Sequence, residues 1–295
     1  MLQLVDIRWE YNKKIDNYFT SLRLRDKDSL ELTSLALKDF TFNFDLSLEK
    51  YCIGYYSKNG FKPCPTGLLT LPTQTQCSTC ERLQGFMSAF IFGQEPNEQM
   101  KEHLAQKHYI YLAYFQPNII KVGTAAESRF FLRPIEQDAL IYSYIAENDG
   151  FNIQKLEHEI SKKLKITEFV KGSHKLKFFA EKINIDKAKL KIEGSFDKIK
   201  SIFKDSTFDS WLYRKINIVN LTKLSEIFYP EKETFLQKNE LKIVGQYKGL
   251  RGKYLIIEND GNYFVFDIRN IIGRMVNYID DWKYNLDMTQ MKLNI

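Results

Sequence analysis

Apolar and polar positions along this chain change period several times, and each change marks an expected element. In FTFNFDLSL, Phe40, Phe42, Phe44 and Leu46 lie two apart, which puts them on one face of a strand. Residues 1–50 alternate more weakly toward that run. HYIYLAYF is a very apolar strand candidate, QPN supplies a turn and IIKVG a second short strand, so 108–123 reads as a hairpin. Thr124 is placed to cap a helix over 125–132, which Pro134 bends or ends. ALIYSYIAE (139–147) is strand-like, and the turn signal ENDG follows it. In FNIQKLEHEISKKLKI the period becomes helical. Ile153, Leu156, Ile160 and Leu164 recur at spacings of three and four and form one buried stripe. The expected order over 108–165 is strand, strand, helix, strand, helix.

Elsewhere the pattern is mixed. Residues 84–105 suggest a helix, an exposed turn (GQEPNEQ) and a further helical turn. Residues 175–240 mix strands with short helices, and LKIEGSFDKIKSIF reads as a strand followed by a helix. LKIVGQYKG, KYLIIEND and NYFVFDIRN are three strand candidates joined by the turns LRG and NDGN, enough for part of a small barrel or sheet. The fold class expected is α+β, with four regions. These are an N-terminal β-rich region over 1–105, a small α/β core over 106–170, a mixed Lys-rich region over 171–240, and a barrel-like β module over 241–295.

Composition supports a globular chain of 295 residues, with 44% hydrophobic and 14% aromatic residues. The start, MLQLVDIRWEYNKK, has no apolar core of signal-peptide length, and no stretch approaches about 18 apolar residues, so a membrane partner is not expected. A cytoplasmic location and reduced cysteines follow as expectations. The formal charge of +6 is concentrated: residues 151–208 carry 14 Lys against eight Asp and Glu. That stretch is either a solvated surface or a phosphate-contacting face.

The cysteines are the sharpest chemical signal. Their spacing is Cys52-x11-Cys64-x12-Cys77-x2-Cys80, four within 29 positions and none elsewhere. A CxxC lets two thiolates reach one tetrahedral ion, and the other two cysteines sit in loops containing Gly or Pro. A redox pair would explain only Cys77 and Cys80, and buried free thiols are the plainer alternative. The expectation is a structural zinc module over 52–80, with no coordination position open to water.

YIYLAYF, IIKVGTA, the following arginines and KLEHEI together resemble the GIY-YIG nuclease core, whose element order is the one read above. The resemblance places Tyr111 at the tyrosine of the first motif and Gly123 at the glycine of the second. Lys121 stands where that motif has a tyrosine. Arg133 matches the catalytic arginine, with Arg129 a second candidate, and Glu157 matches the metal-binding glutamate. The chain also resembles, over nearly its whole length, an uncharacterised bacterial family with a four-cysteine zinc module. The match there rests on His108, Tyr111, Leu112, Ala113, Lys121, Val122, Gly123, Arg133, Glu136 and Gln137, and on GQYKGLRGKYLII in the tail. Asp138 stands where that pattern has Gly.

The resemblance implies a metal-dependent phosphodiester hydrolase acting on DNA or RNA. Tyr111 would orient or deprotonate water, Lys121 and Arg133 would neutralise phosphate, and Glu157 would hold Mg²⁺ or Mn²⁺. Each residue also has a plainer role. Tyr111 suits an apolar core, and Glu157 and Glu159 suit surface ion pairs with Lys162 and Lys163. Arg133 could cap a helix end, and His108 could be a packed histidine. His103, His158 and His174 show no metal spacing with the cysteines. Two other functions stay open: a non-catalytic nucleic-acid binder and a protein-interaction scaffold using the same fold.

Overall fold

The computed structural model describes residues 1–57, 60–84, 98–230, 234–237, 241–279 and 291–293. The chain divides into two compact units: unit 1, Met1–Gln99 with Pro230–Leu293, and unit 2, built on Met100–Tyr229.

Unit 1 opens with four strands: β1 (Leu2–Asn12), β2 (Asn17–Asp26), β3 (Leu32–Ala36) and β4 (Thr41–Leu46). The two-residue period of β4 buries Phe42, Phe44 and Leu46 as expected. A small hairpin follows, β5 (Tyr55–Ser57) with β6 (Gly60–Lys62), and then helix α1 (Ser78–Gln84). Most of the expected turn GQEPNEQ lies outside the described residues; helix α2 (Glu98–Leu104) begins within it.

Unit 2 holds β7 (Lys107–Phe115), β8 (Ile119–Ala126), the short helix α3 (Arg133–Glu136), β9 (Ile141–Asp149) and α4 (Gly150–Leu164). After them come α5 (Gly172–Lys177), α6 (Ile185–Phe203) and β10 (Ile218–Asn220). Unit 1 then resumes with β11 (Thr234–Gln237), β12 (Lys242–Arg251), β13 (Tyr254–Asn259), β14 (Asn262–Asp267), α7 (Ile268–Ile271), β15 (Met275–Tyr278) and β16 (Met291–Leu293).

The main sheet of unit 1 runs β16-β11-β14-β13-β12-β4-β15-β1-β2-β3. The three tail strands form where the alternation puts them. They do not build a separate barrel-like module, because β12 pairs with β4 and β15 pairs with both β1 and β4. Non-local pairing extends the local reading: β12, β13 and β14 pair with one another as neighbours, but β12 and β15 also join strands from the other end of the sequence.

The four-stranded sheet of unit 2 is antiparallel, in the order β10-β9-β7-β8. On one face Ile110, Leu112, Val122, Ile141 and Ile145 meet Ile153, Leu156 and Ile160 of α4 and Ile192, Phe196 and Phe203 of α6. Asp149 caps α4 by accepting a hydrogen bond from the Asn152 amide at 2.9 Å. The strand–strand–helix–strand–helix order is present, with two local corrections. No helix spans 125–132: β8 runs through Ala126, and a single 3-10 turn follows at Glu127–Arg129. LKIEGSFDKIKSIF lies wholly inside α6 and contains no strand, since Ala188, Ile192, Phe196, Ile199 and Phe203 recur every three or four residues and are buried. Among the described residues no helix is long and apolar enough to cross a membrane.

Candidate metal centre and a buried tyrosine–lysine cluster

Two polar constellations stand out, one in each unit. In unit 1 the Sγ atoms of Cys52, Cys64, Cys77 and Cys80 all lie within 4.8 Å of one another. Cys77 precedes α1 and Cys80 lies in its first turn, so the turn of the helix carries both thiols to one side. Cys52 and Cys64 flank the β5–β6 hairpin. The loop after Cys52 turns at Gly54 with φ +104°, and a Cβ there would fall 2.1 Å from the Lys62 carbonyl, so only glycine fits.

The donor set suits a soft or borderline cation. Four Zn–S bonds of about 2.3 Å in a tetrahedron set the sulfurs roughly 3.8 Å apart. Cys64 and Cys77 are 3.8 Å apart, far beyond a disulfide bond, and all four cysteines are free. Amide donors also converge on sulfur: the Cys77 N–H donates to Cys52 Sγ at 3.2 Å. Burial pushes the Cys52 thiol up to about 11 and raises Cys80 as well. Burial works on Cys64 in the same direction, but hydrogen bonds from the Thr66 side chain and from backbone amides outweigh it and bring that thiol down to about 6. These four residues could hold a metal ion such as zinc.

In unit 2, β7 and β8 place Tyr111 opposite Gly123, with Lys121 two residues before. A Cβ on Gly123 would come within 2.6 Å of the Tyr111 ring carbon Cζ and hydroxyl, so this glycine makes room for the tyrosine. The Tyr111 hydroxyl donates to Gln137 Oε1 at 2.8 Å. Lys121 Nζ donates to the same Oε1 at 2.5 Å and to the Tyr111 hydroxyl at 3.3 Å. The three side chains thus close a triangle. Tyr111 is fully buried and Lys121 is 7% exposed.

Burial lowers the Lys121 ammonium to about 8, helped by the positive charge of Arg133 and opposed by Glu157. Burial raises the Tyr111 phenol. It also pushes the Glu157 carboxyl up to about 7, with the charge of Glu168 next in effect and Lys121 and Arg133 pulling the other way. The expected residues Tyr111, Lys121, Arg133 and Glu157 therefore share one electrostatic neighbourhood.

The plainer roles divide. Tyr111 does sit in a core. Glu159, not Glu157, pairs with Lys163, at 3.4 Å. Arg133 opens α3 ahead of Pro134, in a helix of four residues whose last turn also contains it. Arg129 is engaged with Glu136. His108 is packed, with Nδ1 2.9 Å from the Gln106 carbonyl and Nε2 3.4 Å from His103 Nε2. His158 lies 3.9 Å from Glu168, and His174 Nε2 donates to the Gln116 carbonyl at 2.7 Å.

Gln137 is the member that residue type alone does not single out. Its backbone carbonyl also accepts from Lys175 at 2.5 Å, tying α5 to the cluster. Asp138 beside it takes φ +63°, the left-handed conformation a Gly would adopt and one that Asp tolerates.

These features define a two-unit α+β protein with a tetracysteine centre and a separate buried tyrosine–lysine–glutamine cluster. The chain belongs to the family described as "Protein of unknown function (DUF2797)", which matches residues 63–276. The matched stretch holds Cys64, Cys77, Cys80 and the whole of the unit 2 cluster; Cys52 lies before it. Comparison with curated proteins and with solved structures returned no match.

Proposed function

We propose that unit 2 is a divergent GIY-YIG-like core that recognises the phosphodiester backbone of DNA or RNA and hydrolyses it, and that the four cysteines bind one structural zinc ion. The observation that carries the first part is the convergence of Lys121, Arg133 and Glu157 on Tyr111, on a strand–strand–helix–strand–helix frame. Lys121 and Arg133 would supply positive charge to phosphate oxygens, Arg133 through a planar guanidinium that can make two parallel hydrogen bonds.

The hydrogen bonding supports one particular part for Tyr111 in this reading. Its proton is directed at Gln137 and its lone pair at Lys121, and its phenol is harder to ionise than a free one. Tyr111 and Gln137 therefore act as positioning residues for the Lys121 ammonium. Glu157 and Glu168 offer oxygen ligands that suit a hard dication, and a cation there would offset the burial that chiefly raises Glu157 and the repulsion from Glu168 that adds to it. Mg²⁺ or Mn²⁺, when bound, polarises a phosphoryl oxygen and neutralises developing charge.

A second reading, a catalytically silent nucleic-acid binder, draws on the complete burial of Tyr111. One experiment separates the two. Single- and double-stranded DNA and RNA are incubated with the protein, with and without Mn²⁺, at two salt concentrations, scoring both cleavage and mobility shift. Mn²⁺-dependent cleavage lost in Glu157→Ala and reduced about 100-fold or more in Lys121→Met supports the hydrolase. A salt-sensitive shift without cleavage supports the binder. No shift on any nucleic acid at low salt removes both and leaves the interaction scaffold.

A further inference from the structure

The LRLR run of β2 puts Leu22 and Leu24 on one face of the sheet and Arg23 and Arg25 on the other. Both arginines are nonetheless buried, at 8% and 4% exposure. A buried guanidinium ordinarily has a carboxylate partner. Among the described residues, neither of these forms an ion pair with one. Arg25 Nη2 donates to the Ile53 carbonyl at 2.6 Å, Nη1 reaches Gln3 Oε1 at 3.4 Å, and the guanidinium lies 5.0 Å from the Phe61 ring centroid. Arg23 donates to the Tyr56 hydroxyl at 2.9 Å and lies 5.1 Å from the same ring. Ile53 follows Cys52, and Tyr56 and Phe61 belong to the hairpin between Cys52 and Cys64. Both charges are thus anchored on the cysteine module.

Four thiolates around one Zn²⁺ form a centre that is formally a dianion. Two buried guanidiniums that form no ion pair among the described residues, Arg25 on the carbonyl next to Cys52 and Arg23 on Tyr56 of the hairpin, would offset that charge. We infer that Arg25, with Arg23 next to it, is the counter-charge of the tetracysteine centre: it stabilises the metal-loaded thiolates and holds the β5–β6 hairpin on the polar face of β1 and β2. The same thiols act on Arg25, since burial pulls its guanidinium down and Cys52, Cys64 and Cys80 push it back up. The inference rests on the proposal that the cysteines bind zinc. It adds that their affinity for the metal is set in part by charges outside the ligand set.

The test uses the full-length, zinc-loaded protein in competition with chelators of graded strength. Arg25→Met keeps bulk and removes charge, whereas Arg25→Lys keeps charge. Arg25→Met is expected to weaken zinc binding about 10- to 100-fold, with unchanged far-UV circular dichroism. Arg25→Lys is expected to stay within about threefold of wild type, because a point charge close to a dianion retains most of the Coulomb interaction. Equal losses in both variants, or no loss in Arg25→Met, overturn the counter-charge. If Arg25→Met is insoluble, Arg25→Gln replaces it, retaining a side-chain N–H donor without charge; zinc affinity equal to that of Arg25→Lys again overturns the inference. A wild-type protein that takes up no zinc sinks the metal centre itself, an outcome distinct from zinc held equally well without Arg25.

Discussion

The cysteine centre of unit 1 and the Tyr111–Lys121 cluster of unit 2 bury polar groups in opposite ways. Four thiols face one another within 4.8 Å, with the Cys77 amide aimed at sulfur and the Arg25 guanidinium on the carbonyl of Ile53, next to Cys52. Ionised, they repel unless a cation lies between them. In unit 2, one acceptor, Gln137 Oε1, takes hydrogen bonds from both Tyr111 and Lys121, and Lys121 also donates to Tyr111. That triangle is closed by its own side chains. The thiols are therefore arranged so that a cation could complete them, whereas the triangle is already assembled from its own side chains.

The sharpest way to break this contrast is to remove a thiol. Structural zinc contributes on the order of 10 kcal/mol to folding of a small module. Cys77→Ser should therefore lose bound zinc, measured by elemental analysis, and lose most of its soluble yield. Unchanged zinc stoichiometry would sink the assignment of Cys77 as a ligand.

The corresponding lesion in unit 2 is Gly123→Ala. Its added methyl would lie 2.6 Å from the Tyr111 hydroxyl, closer than atoms approach, so the phenol or the strand must shift. Overpacking of this kind costs about 1–3 kcal/mol. Denaturant unfolding should show that loss while zinc content stays at the wild-type level. An effect of similar size is expected from Gln137→Leu. It leaves the buried Tyr111 hydroxyl and Lys121 ammonium without their shared acceptor, at about 1–3 kcal/mol before any relaxation toward solvent. If Gln137→Leu is neutral by the same measurement, the triangle does not hold Lys121.

The same contrast explains what can be read from the residues. Cysteines are rare and chemically narrow, so four in one short stretch announce a shared purpose by their spacing alone. The Ile153–Leu156–Ile160 stripe and the 108–123 hairpin are legible because burial on one face imposes a period. Gln137 carries no such signature. It matches the family pattern beside Glu136, but its part shows only where its side chain meets Tyr111 and Lys121. Arg23 and Arg25 mislead in the other direction, since alternation with leucine suggests a solvated face, yet the cysteine module covers it. In α6, Gly194 and the charged positions hide a helical period that Ala188, Ile192, Phe196, Ile199 and Phe203 carry. The tail strands are visible locally, but the pairing of β12 with β4 is a long-range choice that alternation does not encode.

The finest distinction between the two centres is in their response to pH. Glu157 is raised in the folded chain to about 7, above its ordinary value near 4.5. Between those values the folded state holds more protons than the unfolded one, so this residue makes stability fall as pH rises from about 4.5 to 7. Lys121 is lowered to about 8 from 10.5. Between 8 and 10.5 the unfolded state holds more protons, so this residue makes stability rise with pH over that window. Unit 2 should therefore be least stable between about pH 7 and 8, where Glu157 and Lys121 are both charged, by an amount on the order of 3 kcal/mol. The minimum in its denaturant midpoint against pH should flatten on its acid side in Glu157→Gln and on its alkaline side in Lys121→Met. The proposed hydrolysis needs Glu157 ionised and Lys121 protonated, so its rate should peak in that same narrow window, where the folded state is under most strain. A stability minimum that persists in both variants would place its origin outside the cluster and leave Lys121 and Glu157 as ordinary buried charges.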